Sequence, residues 1–443
     1  LACPRRHRRR SRTLRVGRTI PRLPSVILLV QLRGMASLAA PKRLAKVVAP
    51  TSAGVEECGR VLASGGLCAF PTETVYGLGA NALDEAAVRR IFEVKRRPLS
   101  DPLIVHVAEP EDALGLVDLG GARAAAHKVF VTLTRAFWPG PLTLVCPARN
   151  HLPACLGAGT GTVGVRCPSH GLARALIGAA GVPVAAPSAN LFGHVSPTRA
   201  QHVVDDLGAS ELHVLDGSAA GEFGGDPPCA HGIESTVCAI APAPGRDDAV
   251  VLTVYRRGAV AAAALERAVA EEPDAELRAA VAKLVVVDSY ADDADPADPA
   301  APAAPPAKPE CAPGQLLTHY APKIPAALVS LVAEAGADDA KSDAYVAQCV
   351  VVDFGGRLAA LEDVALAYRD LSAAGDAAAA AAALFETLRW AEDVPKAKNV
   401  FIADLQAEKA SPGLIAGVAD RVYRATSGNT IEIPRAPKAE GPQ

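Results

Sequence analysis

Leu67-Cys68-Ala69-Phe70-Pro71-Thr72-Glu73-Thr74-Val75-Tyr76-Gly77-Leu78-Gly79 is the stretch on which the reading of the fold turns. Its first four residues form a short apolar run stopped by Pro71, the pattern of a buried strand. Thr72, Glu73 and Thr74 then bring hydroxyls and a carboxylate, and Gly77 and Gly79 bring small residues. Small residues let a ligand approach backbone N–H groups, and threonine hydroxyls can bond a polar substrate. The same residues also suit an ordinary strand-to-helix turn capped by threonine. Outward from this stretch, apolar runs of similar length recur at residues 103–107, 142–145, 163–165, 182–185 and 250–252. Segments 85–94, 122–137 and 172–180 lie between them with apolar residues at helical spacing. Strands alternating with helices predict an α/β domain with a twisted mixed sheet over residues 49–269.

A second rhythm follows. Residues 288–314 are almost wholly Asp, Ala and Pro, which cannot bury a core and read as linker. His319-Tyr320-Ala321-Pro322 comes next, so residues 270–323 are assigned to the linker region. Residues 346–354 and 399–403 then read as strands, and residues 377–390 and 413–424 as helices. That predicts a small Rossmann-like domain over residues 324–434. It lacks a G-x-G-x-x-G turn, so the rhythm carries no nucleotide-binding claim.

Charge divides the chain unevenly. The formal net charge is −3, yet residues 1–55 hold 13 Lys and Arg and no acid, leaving 32 basic against 48 acidic residues in the remainder. An acidic body does not bind nucleic acid through bulk charge. Residues 1–48 read as a basic extension without a folded core. Its Arg-rich, acid-free composition is that of an organelle-targeting peptide. Equally, translation could begin at Met35, the only methionine. The ten cysteines include no C-x-x-C pair, which speaks against zinc fingers and redox motifs and for reduced thiols. No run approaches the ~20 apolar residues of a membrane span.

Several clusters could carry chemistry. No Walker A pattern is present, so a nucleotide must be held some other way. Lys95, Arg96 and Arg97 stand before Pro98. They can complement a helix C-terminus or clamp a polyphosphate, Arg as a bidentate fork and Lys as a point charge. Ser188 and Asn190 end the strand at 182–185, where a turn or a ligand at the sheet edge would use them. Ser188 lacks a G-x-S-x-G elbow, which excludes a hydrolase triad. Arg166 and Arg256 each follow a strand, and Ser235-Thr236 puts a hydroxyl pair at the start of another.

Taken in order, PTETVYGLG (71–79), KRRPLSDPLIVHV (95–107), FWPGPLTLV (137–145), VGVRCPSH (163–170), PVAAPSANLFGHVSPT (183–198), GIESTV (232–237) and YRRG (255–258) resemble the catalytic domain of the Sua5/YrdC family. The HYAP segment and Rossmann-like tail resemble the longer Sua5 form. The resemblance implies a nucleotidyltransferase that joins L-threonine, bicarbonate and ATP into L-threonylcarbamoyl-AMP and pyrophosphate for the t6A modification of tRNA. It places Thr74, His106, Arg166, Ala186 and Ser235 around threonine. It places Arg97, Asp101, Thr162, Ser188, Ser196 and Arg256 at ATP, with Lys95 near the phosphates, and His319 and Tyr320 in a segment that closes over the nucleotide. Lys95 and Arg97 take the catalytic roles. Mg²⁺ arrives with ATP, and no metal site of the protein's own is expected. The implied partners are a downstream t6A transferase complex and a weak contact with tRNA, without a membrane. The implied location is cytoplasmic, or mitochondrial or plastidic if residues 1–40 are a transit peptide.

Three departures stand out. Asp101 occupies a position where the family commonly has Asn, Ala312-Pro313-Gly314-Gln315 is a weakened form of the SPGM-like linker motif, and residues 241–249 form an insertion before Arg256. Two other functions compete: a non-catalytic RNA-binding module of the same fold, and a carbamoyltransferase of the hydrogenase-maturation type. The acidic body opposes the first and the lack of C-x-x-C opposes the second.

Overall fold

A computed structural model describes residues 44–435 apart from 121–123, 219–222, 224–226, 228, 288–311, 314–316, 333–338 and 412. The basic extension up to residue 43 and nearly all of the Asp/Ala/Pro segment thus lie outside the described residues.

Pro71 ends a strand, as its missing N–H requires. The first sheet contains β1 (Lys46–Val48), β2 (Cys68–Phe70), β3 (Gly77–Asn81), β4 (Ile104–His106), β5 (Leu142–Pro147), β6 (Thr162–Arg166), β7 (Val184–Ala185), β8 (His213–Leu215), β9 (Thr236–Ala243), β10 (Arg246–Arg256) and β11 (Val281–Val286). Their order is β1-β8-β2-β3-β7-β4-β6-β5-β9-β10-β11. The sheet is mixed: β4 runs parallel to β6 and β5 to β9, while β2 and β3, and β9 and β10, are antiparallel. Its helices are α1 (Ser52–Ala63), α2 (Glu85–Lys95), α3 (Ala124–Phe137), α4 (Gly171–Ala180), α5 (Ala200–Leu207), α6 (Ala262–Ala270) and α7 (Ala275–Ala280). In α2, Asp84 caps the backbone N–H groups of Ala86 and Ala87, and Val88, Ile91 and Phe92 form the buried face. The helix stops at Arg96, whose φ of 54° is left-handed, two residues before Pro98.

The second sheet is wholly parallel. It contains β12 (Ala326–Val332), β13 (Cys349–Asp353), β14 (Ala367–Asp370), β15 (Asn399–Ala403) and β16 (Thr430–Pro434) in the order β14-β13-β15-β12-β16, with α8 (Asp339–Val346), α9 (Ala377–Asp393) and α10 (Leu414–Ala425). No helix among the described residues is long and apolar enough to cross a membrane.

Four expectations need correction. Gly77 and Gly79 belong to a strand, β3, that pairs back on β2, so residues 71–76 turn strand to strand rather than strand to helix. Glycine carries no β-branched signal, and the apolar pattern therefore hid this strand. Residues 46–48, assigned above to the basic extension, form β1 and pair in parallel with β8, so the first sheet begins before residue 49, while the insertion at 241–249 lies in the β9–β10 hairpin. Residues 281–286, assigned above to the linker, pair in parallel with β10, so the first sheet runs on past residue 269 to Val286. Residue 346 closes α8, and the strand beside it begins only at Cys349.

The two cores are not separate. The apolar cluster of the second sheet includes Leu328 of β12, Val351 of β13 and Phe401 of β15, and also Val75, Val195 and Ile233 from the first domain, together with Tyr320.

Candidate functional site

Thr72 organises the turn between β2 and β3. Its Oγ1 donates to the Val75 carbonyl at 2.7 Å and accepts from the N–H groups of Thr74 and Val75 at 3.1 and 3.2 Å. This local bonding satisfies the turn without a helix. It fixes Thr74, whose Oγ1 accepts a hydrogen bond from Arg166 Nη1 at 3.1 Å. Arg166 ends β6, in register with His106 at the end of β4. Its Nη2 lies 2.7 Å from Glu73 Oε1, and both side chains are buried. Burial alone would raise the Glu73 carboxyl; the facing guanidinium outweighs it and holds the group below its usual value. Burial, with the Arg166 charge nearby, brings His106 down to about 3, so its imidazole is neutral at physiological pH. Its Nδ1 has no hydrogen-bond partner among the described residues.

The opposite wall starts at the end of α2. Arg97 folds back on its own chain: Nε donates to the Asp101 carbonyl at 3.1 Å and Nη2 to the Pro102 carbonyl at 2.7 Å. Asp101 Oδ1 lies 2.7 Å from the same Nη2. The segment after β7 supplies Ala186, Pro187 and Ser188, and Ser188 bridges to Gly77. Behind it Lys95 Nζ donates to the carbonyls of Ser188 and Asn190, each at 2.5 Å. Burial, reinforced by Arg97, pulls the Lys95 ammonium well below its ordinary value.

A third wall joins the start of β9 to the end of β10. Arg256 donates from Nη2 to Ser235 Oγ and from Nε to the Ser235 carbonyl, both at 3.1 Å. Thr143 Oγ1 sits 2.8 Å from the same Ser235 Oγ. Glu234 Oε1 accepts from Ser196 Oγ at 2.6 Å. His319 and Tyr320 cover these walls. Burial, with Arg97 and Arg424 nearby, keeps the His319 imidazole neutral, and neither ring nitrogen has a partner among the described residues. Tyr320 takes a left-handed φ of 62° and packs on Phe385 of α9 at 5.3 Å.

The walls enclose a cleft of about 550 Å³ including its mouth. Of the residues named from sequence, Thr74, His106, Arg166, Ala186, Ser235, Arg97, Ser188, Arg256, His319 and Tyr320 face it. Four do not. Lys95 stands behind the wall and holds it. Asp101 is turned to Arg97, whose guanidinium faces its carboxylate. Ser196 is buried behind Glu234. Thr162 begins β6, at the other end of the strand from Arg166, with its Oγ1 2.8 Å from Thr160 Oγ1. Glu73, Glu234 and Thr143 were not picked out from sequence. Glu73 had a signal, a carboxylate between two threonines; Glu234 and Thr143 acquire meaning only through contacts across the fold.

Three guanidinium groups and two neutral imidazoles thus meet in one cleft, with His106 Nδ1 and both His319 ring nitrogens unpartnered among the described residues. Buried polar atoms are normally paired, so the free imidazole nitrogens point to a polar ligand. Ser235 Oγ is engaged by Thr143 and Arg256 rather than by an imidazole base, so the cleft is equipped to bind and orient anions rather than to attack with a serine.

Known proteins share this architecture. A family model described as telomere recombination, Sua5_yciO_yrdC, matches residues 60–250, and one described as threonylcarbamoyl-AMP synthase, C-terminal domain, matches residues 265–427. A threonylcarbamoyl-AMP synthase of Bacillus subtilis is 39% identical over 275 residues, 62% of this chain and 66% of that protein. The matches to the synthases of Pyrococcus abyssi and Schizosaccharomyces pombe each span 43% of those proteins. One from Idiomarina loihiensis is 35% identical over 35% of this chain and 82% of its own length. The crystal structure of P. abyssi Sua5 complexed with L-threonine superposes with a TM-score of 0.66 at 29% identity, over 88% of this chain and 99% of that one. With its mixed sheet, its second parallel sheet and its ordered motifs, the chain belongs to the Sua5/YrdC family of threonylcarbamoyl-AMP synthases.

Proposed function

We propose that this protein is a nucleotidyltransferase that makes L-threonylcarbamoyl-AMP and pyrophosphate from L-threonine, bicarbonate and ATP. The observation that carries the reading is the convergence on one cleft of Thr74, His106 and Arg166 from the first wall, Arg97 and Ser188 from the second, and Ser235 and Arg256 from the third. Arg166 takes the amino-acid carboxylate, its fork matching two oxygens. Thr74 and the neutral His106 offer hydrogen bonds to the remaining polar groups. Arg97 and Arg256 take the phosphates. Threonine's amine and bicarbonate give a carbamate with loss of water. A carbamate oxygen then attacks the α-phosphorus, and pyrophosphate leaves. Such a reaction needs positioning and charge neutralisation more than a protein nucleophile.

Among the described residues no three His, Cys, Asp or Glu side chains are grouped to hold a metal ion. In this proposal Mg²⁺ enters as part of the substrate, carried by the ATP phosphates and water. The product is consumed by a transferase acting on tRNA in the cytoplasm.

Mass spectrometry of a reaction with Mg-ATP, threonine and ¹³C-bicarbonate tests the proposal. Labelled threonylcarbamate joined to AMP is expected only when all three are present. Equal ATP turnover without threonine would remove it.

A further inference from the structure

We infer that Arg421, a residue of the second domain, is a positioning residue for the nucleotide side of the site in the first. The inference rests on the proposed reaction for what the site binds, but its geometry stands alone.

Arg421 lies on α10 with its side chain 0% exposed. Its Nε lies 3.0 Å from Glu234 Oε2, while the other oxygen of that carboxylate holds Ser196. Its Nη1 donates to the Arg257 carbonyl. Glu234 adjoins Ser235, and Arg257 adjoins Arg256, so one guanidinium ties together the chain positions next to two cleft residues. Its Cζ is also 5.5 Å from the Tyr320 ring. One side chain therefore touches the supports of the β9 wall, the β10 wall and the cover.

The backbone leaves no slack around this link. Gly232 has a φ of 65°, and a Cβ there would stand 2.1 Å from the Ala381 carbonyl of α9. A Cβ on Gly417 of α10 would stand 3.0 Å from Ile233 Cδ1. Both helices therefore press on the segment that carries Glu234 and Ser235. Joining two domains does not by itself call for a buried charge, because apolar side chains of similar volume do so with a smaller desolvation cost. What a guanidinium adds is fixed direction: several hydrogen bonds leave one planar group at set angles. Those directions end on Glu234, on Arg257 and on Asp420 of the same helix, and so brace the wall where Arg256 stands bonded to Ser235, while Thr74 and His106 are held by other contacts.

Full-length Arg421→Met, Arg421→Lys and Glu234→Gln decide the matter. Steady-state kinetics, thermal melting and amide exchange over residues 232–237 are measured for each. Arg421→Met is expected to stay folded, to raise KM for Mg-ATP about tenfold or more and to leave KM for threonine within about twofold. Exchange over 232–237 should quicken, and Arg421→Lys should recover part of both effects. Unchanged KM for ATP in a folded Arg421→Met, or equal rises in both KM values, overturns the inference and leaves Arg421 a domain fastener. If Arg421→Met does not fold, Glu234→Gln decides by the same two criteria. Failure of the wild type to release pyrophosphate in response to threonine defeats the proposed reaction instead; exchange over 232–237 then still decides whether Arg421 positions this wall.

Discussion

Glu73 and Arg166 face each other at 2.7 Å with side-chain exposures of 0% and 4%. A buried pair adds little over apolar packing, but breaking one strands a charge. Glu73→Gln keeps an acceptor and removes the charge, so a loss of about 1–3 kcal/mol in denaturant stability is expected at pH 7. The pH profile checks the cause. A carboxylate depressed on folding contributes stability that is present above its unfolded value of about 4.3 and lost as pH falls through the folded one. The gap between wild type and Glu73→Gln should therefore hold down to about pH 4.5 and close only below it; a gap that is flat into acid would refute an ionic origin. Arg97 offers a second test. Its Asp101 tether fixes the guanidinium at the cleft, so Arg97→Ala should weaken ATP binding by about 1.5–3 kcal/mol in isothermal titration. Undiminished affinity would return Arg97 to the role of a charge at a helix end. Most of the side chains that face the cleft could be picked from sequence because the motifs contain them. Whether a residue faces the ligand or stands behind one that does was not legible: Lys95 and Arg97 are two apart, yet one braces the wall and the other forms it.

Elements were legible where the residue type matched the conformation. The apolar run into Pro71 marked β2, and Val88, Ile91 and Pro98 marked the body and stop of α2, whereas its cap, Asp84, came only with the structure. β3 was hidden by its glycines and β11 by its nearness to the Asp/Ala/Pro segment. The glycines at the helix contacts were equally silent, because close approach is a property of two elements rather than one. They make contrasting predictions. Gly232→Ala needs a left-handed φ and would set a Cβ 2.1 Å from a helix carbonyl, which cannot move alone. A loss on the order of 3 kcal/mol or more is expected, together with impaired activity. Gly417→Ala meets the end of the flexible Ile233 side chain at 3.0 Å and the Gly258 backbone at an ordinary contact distance of 3.6 Å, and gains up to about 1 kcal/mol of helix propensity. Its melting temperature should stay near that of the wild type. Equal losses in the two variants would show that α9 and α10 do not press on this segment as described.

At the scale of the molecule, two rhythms of strand and helix announced two domains, but nothing in either announced how they meet. His194 belongs to that meeting. Its Nδ1 lies 2.8 Å from Asp206 Oδ2 on α5 and its Nε2 3.0 Å from Glu392 Oε2 on α9. Arg389 of α9 reaches the same Asp206 oxygen at 2.9 Å, and Lys323 lies 3.2 Å from Glu392. Ala321 of the covering segment donates its N–H to the Gly193 carbonyl at 2.9 Å, so the cover is anchored one residue away. Burial alone would lower the His194 imidazole; the two carboxylates outweigh it and raise the group above its ordinary value. A raised histidine contributes stability that is complete below the unfolded value of about 6.5 and is lost as pH rises through the folded one. His202, beside Glu386, is pushed the other way to about 3 by burial and the Arg389 charge. Its effect on stability is therefore opposite in sign, but both proteins in the comparison carry it, so it cancels. Asp206 and Glu392 are both held below their usual values and stay ionised above about pH 5. The melting temperature of His194→Gln should therefore fall furthest below the wild type near pH 6 and approach it as pH rises toward 9. A difference that stays constant across that range would mean that the imidazole bridges the domains as a neutral hydrogen-bonding group, and that proton binding takes no part in holding them together.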